Sequence, residues 1–111
     1  MNMNTSPISL LKDPTLLKTD ALINGHWIKG NARFDVLDPA TGLKLADVAD
    51  LGAQSASDAI DAANAAWPAW RKKTGKERHA ILMKWFDLLI ANADDLGRIL
   101  TAEQGKPFAG R

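Results

Sequence analysis

The sequence predicts an α+β segment, antiparallel β hairpins followed by three helices. Three observations carry that reading. Asn24-Gly25 separates two short runs rich in strand-forming residues, and Asp38-Pro39-Ala40-Thr41-Gly42 separates two more. From Ser55 onward, apolar residues recur at helical spacing behind residues that cap helices. With 111 residues and a hydrophobic fraction of 46%, the chain is the size of one ordinary domain and too apolar for a disordered tail.

Residues 1–19 read as an N-terminal arm. Ile8, Leu10, Leu11, Leu16 and Leu17 give it apolar points with which to lie on a body. Asp13-Pro14-Thr15 suits a short helical turn with proline in the first position, where its missing N–H costs nothing. Ala21-Leu22-Ile23 and His26-Trp27-Ile28 then flank Asn24-Gly25, whose two residues tolerate the positive φ of a type I′ turn. Phe34-Asp35-Val36-Leu37 reads as a further strand. Pro39 pre-sets the turn that follows, and Leu43, Leu45, Val48 and Ala49 mark the return. Isolated hairpins are marginal in water, so these strands need helices or a larger sheet behind them.

For the first helix, Ser55-Ala56-Ser57-Asp58 supplies a serine cap and an early aspartate, and Pro68 is expected to stop it. Ala56, Ala59, Ile60, Ala63 and Trp67 form one face, with Trp70 on the buried side. Thr74-Gly75-Lys76-Glu77 has the capping-box pattern for a second helix, whose stripe is Ile81, Leu82, Trp85, Leu88 and Leu89. Asn92 caps a third, with Asp94 and Asp95 at its positive end and Leu96, Ile99 and Leu100 as its stripe. Gly105 and Pro107 end it.

The net charge is +1, with basic and acidic residues interspersed. That excludes the basic stripe of a nucleic-acid footprint and the polybasic cluster of a membrane anchor. Arg71-Lys72-Lys73 reads as a solvated helix end. The start of the chain lacks a signal-peptide pattern, and no apolar run approaches the ~20 residues of a membrane span, so the expected location is the cytoplasm. With no cysteine there is no disulfide, no zinc–thiolate site and no thiol nucleophile.

Little in the residues reads as chemistry. His26 reads as a surface strand histidine and His79 as peripheral at a helix start. Asp94 and Asp95 are adjacent on a helix, point about 100° apart, and read as electrostatic capping. Asp58 and Asp61 offer too few oxygens for a metal. Gly105-Lys106 follows a helix and lacks the hydroxyl residue of a phosphate loop. Glu103 sits at the negative end of the third helix, where a cation, Lys106 or a distant backbone amide would offset its unfavourable position.

Five blocks resemble the aldehyde dehydrogenases. They are Ala21-Leu22-Ile23-Asn24-Gly25-His26-Trp27, Val36-Leu37-Asp38-Pro39-Ala40-Thr41-Gly42, the alanine-rich stretch ending Trp67-Pro68-Ala69-Trp70, Glu77-Arg78, and Glu103-Gln104-Gly105-Lys106-Pro107. Each is weak alone, and their shared order gives the resemblance its weight. Leu11-Lys12-Asp13-Pro14-Thr15-Leu16-Leu17 and Thr101-Ala102 before Glu103 are most similar to the succinate-semialdehyde dehydrogenases.

The resemblance implies an α/β parent fold in which residues 20–111 are the incomplete N-terminal part of the cofactor-binding domain. It implies NAD- or NADP-dependent oxidation of an aldehyde to an acid by a cysteine thiolate, with a glutamate activating water. The cofactor glycines, nucleophile and base are then expected beyond Arg111, leaving this segment structural and inactive alone. Its partners are expected to be the remainder of the same enzyme and further copies in a homo-oligomer. Some members bind a monovalent cation through a backbone carbonyl before the Asn/Asp-Pro turn and an acid just before Gln/Asn-Gly-Lys-Pro. The matching positions here are Val36 or Leu37, and Glu103. A second organisation fits the same residues: a free-standing helical protein-interaction module whose tryptophans bind a partner.

Overall fold

The computed structural model describes residues 6–108. The arm's first five residues and Ala109 to Arg111 lie outside them. Strands β1 (Ala21–Ile23) and β2 (His26–Ile28) form one antiparallel pair, and β3 (Ala32–Leu37) and β4 (Lys44–Asp50) form another. Helices α1 (Ala53–Lys72), α2 (Gly75–Ala91) and α3 (Ala93–Gln104) follow. The order is the one the sequence predicts.

The hairpins form for local reasons. Asn24 and Gly25 both take positive φ, 52° and 76°, as a type I′ turn requires. At the second turn the Asp38 carboxylate accepts the Ala40 amide at 2.8 Å, and its carbonyl accepts the Gly42 amide at 2.7 Å. Asp38 is thereby buried with its polar atoms satisfied. Val36 pairs with Ala46 and Leu37 with Lys44, so Leu45 is bulged out beside the turn.

The arm is two 3₁₀ turns, Pro7–Leu10 and Pro14–Leu16, each with proline at its start. Ser6 and Asp13 cap them through their side chains, as the Asp-Pro-Thr signal predicts for the second. Ile8, Leu11, Leu16 and Leu17 are half-buried, whereas Leu10 faces water.

The first helix departs from expectation at both ends. Gly52, not Ser55, is its N-cap, and Asp58 lies inside the helix accepting the Gln54 side chain at 2.9 Å. Pro68 does not stop it, and the helix runs on to Lys72. Proline removes the donor to the Asn64 carbonyl, but both residues are exposed, so water can take up that carbonyl. The stop comes where the Lys73 amide folds back onto the Trp70 carbonyl and Thr74 begins the next cap. Trp70 is half-buried as expected, while Ile60 and Trp67 are exposed.

The capping box of α2 is complete: Thr74 Oγ1 accepts the Glu77 amide at 3.1 Å, and Glu77 accepts the Thr74 amide at 3.0 Å. That second bond holds the Glu77 carboxyl below its ordinary range. Asn92 does not cap α3 with its side chain, which turns back to donate to the Leu88 carbonyl and closes α2 instead. Gly105 ends α3 in the left-handed conformation, φ 79°.

The chain buries little. Its radius of gyration is 17.3 Å, against about 13 Å for a compact domain of this length. Its accessible surface is 8353 Å², against roughly 6,000 Å² for a folded monomer of this mass. Ala102 is its one buried apolar residue among those described, and no large side chain is fully sheltered.

Candidate functional site

The best-built polar cluster lies where the arm meets α3. Asp95 is 4% exposed, and its two carboxylate oxygens accept the amides of Lys12 and Asp13, each at 2.9 Å. Arg98, one turn along α3, pairs with the same carboxylate at 3.0 Å and lies over the Phe108 ring. The Lys12 amide first, then the Asp13 amide and Arg98, hold the Asp95 carboxyl below its ordinary range against the opposing effect of burial. This cluster binds the chain to itself. Reading Asp94 and Asp95 as a capping pair captured the position in the first turn and missed this role. Nothing local in the sequence points to partners more than eighty residues away.

A second cluster ties the hairpins together. Arg33 on β3 reaches Asp47 at 2.7 Å and Asp20 at 2.9 Å, and donates to the carbonyls of Lys29, Thr19 and Asp47. Asp47 and then Asp20 stabilise the guanidinium and raise its pKa, and Arg33 lowers that of Asp47. Alongside, the Ala49 amide donates to the Thr19 carbonyl at 2.9 Å. Arginine's planar fork makes these five bonds possible at one residue.

The two segments of the candidate cation site come together at the end of α3. A Cβ built on Gly105 would lie 3.1 Å from Pro39 Cγ, so the helix stop is seated on the Asp38-Pro39 turn that follows Leu37. Glu103 is exposed, and Leu37 is half-exposed at the bulge. No group of three or more His, Cys, Asp or Glu side chains able to hold a metal occurs among the described residues. His26 and His79 lie exposed, as read from the sequence.

Two apolar hollows remain. One, of ≈ 410 Å³, lies between the tip of the first hairpin and the alanine face of α1, Ala59, Ala62, Ala63 and Ala66. The other, of ≈ 300 Å³, lies beside Pro7, Leu10 and Phe108. Neither gathers an acid, base and nucleophile, and with no cysteine in the chain a thiolate cannot form here.

Residues 27–110 match the profile of the aldehyde dehydrogenase family. The chain belongs to that family. It is 50% identical over 101 residues to the NADP⁺-dependent succinate-semialdehyde dehydrogenase of Escherichia coli (strain K12), covering 89% of this chain and 21% of the relative. It is 49% identical over 93 residues to the human mitochondrial succinate-semialdehyde dehydrogenase, covering 84% of this chain and 17% of that one. It is 48% identical over 101 residues to the 3-sulfolactaldehyde dehydrogenase of Pseudomonas putida. The crystal structure of succinate-semialdehyde dehydrogenase from Burkholderia pseudomallei superposes with a TM-score of 0.86 at 56% identity, over 89% of this chain and 21% of that one.

This aldehyde dehydrogenase segment thus spans about a fifth of the length of the relatives it matches. The likeness confirms an α+β segment of that family's fold. No helix among the described residues is long and apolar enough to cross a membrane.

Proposed function

We propose that the chain is the N-terminal structural part of an NAD(P)-dependent oxidoreductase that oxidises succinate semialdehyde to the acid. The observation that carries this is the breadth of the likeness: about half of the residues match across nine-tenths of the chain, with matching backbone. Succinate semialdehyde ends in a carboxylate and 3-sulfolactaldehyde in a sulfonate, so the relatives' named substrates are aldehydes with an anionic far end. The same class is the proposed substrate here. NAD or NADP would be held by other parts of the enzyme, which works in the cytoplasm as a homo-oligomer.

Residues 20–111 take the place of the opening of the cofactor-binding domain, and residues 1–19 that of an arm strapped across it. Leu37 and Glu103 are proposed as contributors to a monovalent cation site. The seating of Gly105 on Pro39 supports it by bringing their segments to one place.

The test is a graft. This chain replaces the aligned stretch of the Escherichia coli relative, and NADP⁺ reduction is followed with succinate semialdehyde. The graft should be active and the 111-residue chain alone inactive. A folded, assembled graft without activity overturns the proposal, as does NADP⁺ reduction by the chain alone.

A further inference from the structure

We propose that Asn24 is a self-modification site. Its side-chain amide is lost to attack by the Gly25 nitrogen, and the isoaspartate that forms unlocks the first hairpin and presents a carboxylate of the kind an isoaspartyl methyltransferase recognises. The site is a property of the turn and stands apart from the oxidoreductase proposed above.

Attack on an asparagine carboxamide comes from the backbone nitrogen of the next residue, and a Cβ on that residue crowds the approach. Asn24 is the one asparagine in the chain followed by glycine, whereas Asn31, Asn64 and Asn92 each precede alanine. Asn24 and Gly25 are both exposed, and a Cβ built on Gly25 would meet nothing within 4 Å, so the space around the nitrogen is open. Neither the Asn24 carboxamide nor the Gly25 amide has a hydrogen-bond partner among the described residues. Asn92, by contrast, donates its side-chain amide to the Leu88 carbonyl at 2.9 Å, and Asn64 lies inside α1.

Ring closure moves the Asn24 main-chain carbonyl, so the turn must open briefly. Little opposes that. β1 and β2 share three residue pairs, Leu22 is 59% and Trp27 49% exposed, and an apolar hollow of ≈ 410 Å³ lies between the tip and the alanine face of α1. Two short strands with so little burial open locally at small cost.

The step needs no co-reactant but water. Gly25 N gives its proton to solvent and bonds to Asn24 Cγ, the Cγ–Nδ2 bond breaks, and ammonia leaves with a proton from water. A second water opens the cyclic imide. Opening at Cγ gives aspartate. Opening at the main-chain carbonyl carbon gives isoaspartate, in which the chain runs through Cβ and Cγ and is one methylene longer. Either product adds a negative charge to a chain whose net charge is +1, but only isoaspartate lengthens the loop. A type I′ turn joins its strands through two residues at positive φ, here 52° and 76°. A loop longer by a methylene cannot close the Leu22–Trp27 and Ile23–His26 pairs through that turn.

The experiment ages the 111-residue chain in mildly alkaline buffer at body temperature and maps it with trypsin. The peptide from Thr19 to Lys29 carries Asn24 as its one amide side chain, so a change from amide to acid there has a single source. That peptide should convert into two products of equal mass, one of which takes a methyl group from S-adenosylmethionine in the presence of an isoaspartyl methyltransferase. Asn31, Asn64 and Asn92 should stay amides over the same interval. Amide exchange in β1 and β2 should remain slow in Asn24→Asp, which has the charge without the added methylene, and lose its protection in the isoaspartyl chain. Gly25→Ala loosens the turn yet should slow loss of the Asn24 amide to the rate of the asparagine–alanine sites. The proposal is overturned if the Asn24 amide lasts as long as the other three, if Gly25→Ala leaves its loss as fast as before, if the isoaspartyl chain keeps a protected hairpin, or if Asn24→Asp loses protection equally.

Discussion

Gly105→Ala tests how the end of α3 is fixed, and Gly25→Ala is its internal control. Both glycines have positive φ, 79° and 76°, but only Gly105 has a neighbour in the way: an added Cβ meets Pro39 Cγ at 3.1 Å, whereas at Gly25 nothing lies within 4 Å. An alanine in the left-handed region costs roughly 1–2 kcal/mol, less the roughly 0.4–1 kcal/mol gained by stiffening the unfolded chain, so Gly25→Ala should cost about 1 kcal/mol. At Gly105 the Pro39 ring must also yield by a few tenths of an ångström, adding about 1 kcal/mol at the low end for overpacking. Amide hydrogen exchange reads each locally. Gly25→Ala should speed exchange in the β1–β2 pair about 5-fold, and Gly105→Ala should speed it in the last turn of α3 about 25-fold, at a tenfold change per 1.4 kcal/mol. Adding Pro39→Ala should return Gly105→Ala to about the 5-fold level, because only the contact and not the strain is relieved. Equal effects from the two glycines, or no rescue by Pro39→Ala, would refute the seating of α3 on the turn.

Thr74→Ala removes half of the capping box and should cost about 1 kcal/mol at the start of α2, speeding exchange of the Glu77 amide about 5-fold, with Thr74→Ser near neutral. For the arm, the Asp95 carboxyl is depressed in the folded chain, so its contribution is full above the ordinary carboxylate range and is lost as pH falls through its lowered value. The Lys12 and Asp13 amide resonances should therefore hold their positions down to about pH 4 and move only below it; release between pH 6 and 7 would contradict this. Asp95→Asn should release the arm at neutral pH. Arg33→Lys keeps the charge and loses the fork, so exchange at the Ala49 amide should rise although net charge is unchanged.

What could be read from the sequence was whatever is decided within a few residues. The Asn24-Gly25 turn, the Asp38 turn, the capping box at Thr74 and the stop at Gly105 each depend on neighbours in the chain, and each is present. The misreadings share one cause. Ser55 is a good cap by type, yet Gly52 took that place, and Asn92 stands at the N-cap of α3 as read but turns its side chain back to Leu88, because helix phase is set by what precedes and follows. Pro68 is a helix breaker by type, but near the exposed end of a 20-residue helix the loss of one bond does not stop propagation. The stripe read on α2 was too narrow. A search for one amphipathic face assigns Ile81, Leu82, Trp85, Leu88 and Leu89 to it and sets aside Met83, Phe86 and Ile90, which carry the apolar surface round to the far side. The two polar clusters were not legible because their partners are brought together only by the fold.

Those clusters matter because of what the chain lacks. A domain with a full core is held by burial, and its surface ion pairs are secondary. Here no large side chain among the described residues is fully buried, so much of the connection between elements falls to polar groups: Asp95 for the arm, Arg33 for the two hairpins, Thr74 and Glu77 for the entry to α2. Polar connections are directional. They fix the arm, the hairpins and the helix starts while leaving the apolar faces of α1 and α2 turned outward. The same connections respond to acid and salt, so the arrangement of the free chain should loosen at low pH and high ionic strength before its helices melt. The backbone of this segment superposes on part of an enzyme about five times as long with a TM-score of 0.86, so the polar contacts hold it in the shape that part has there.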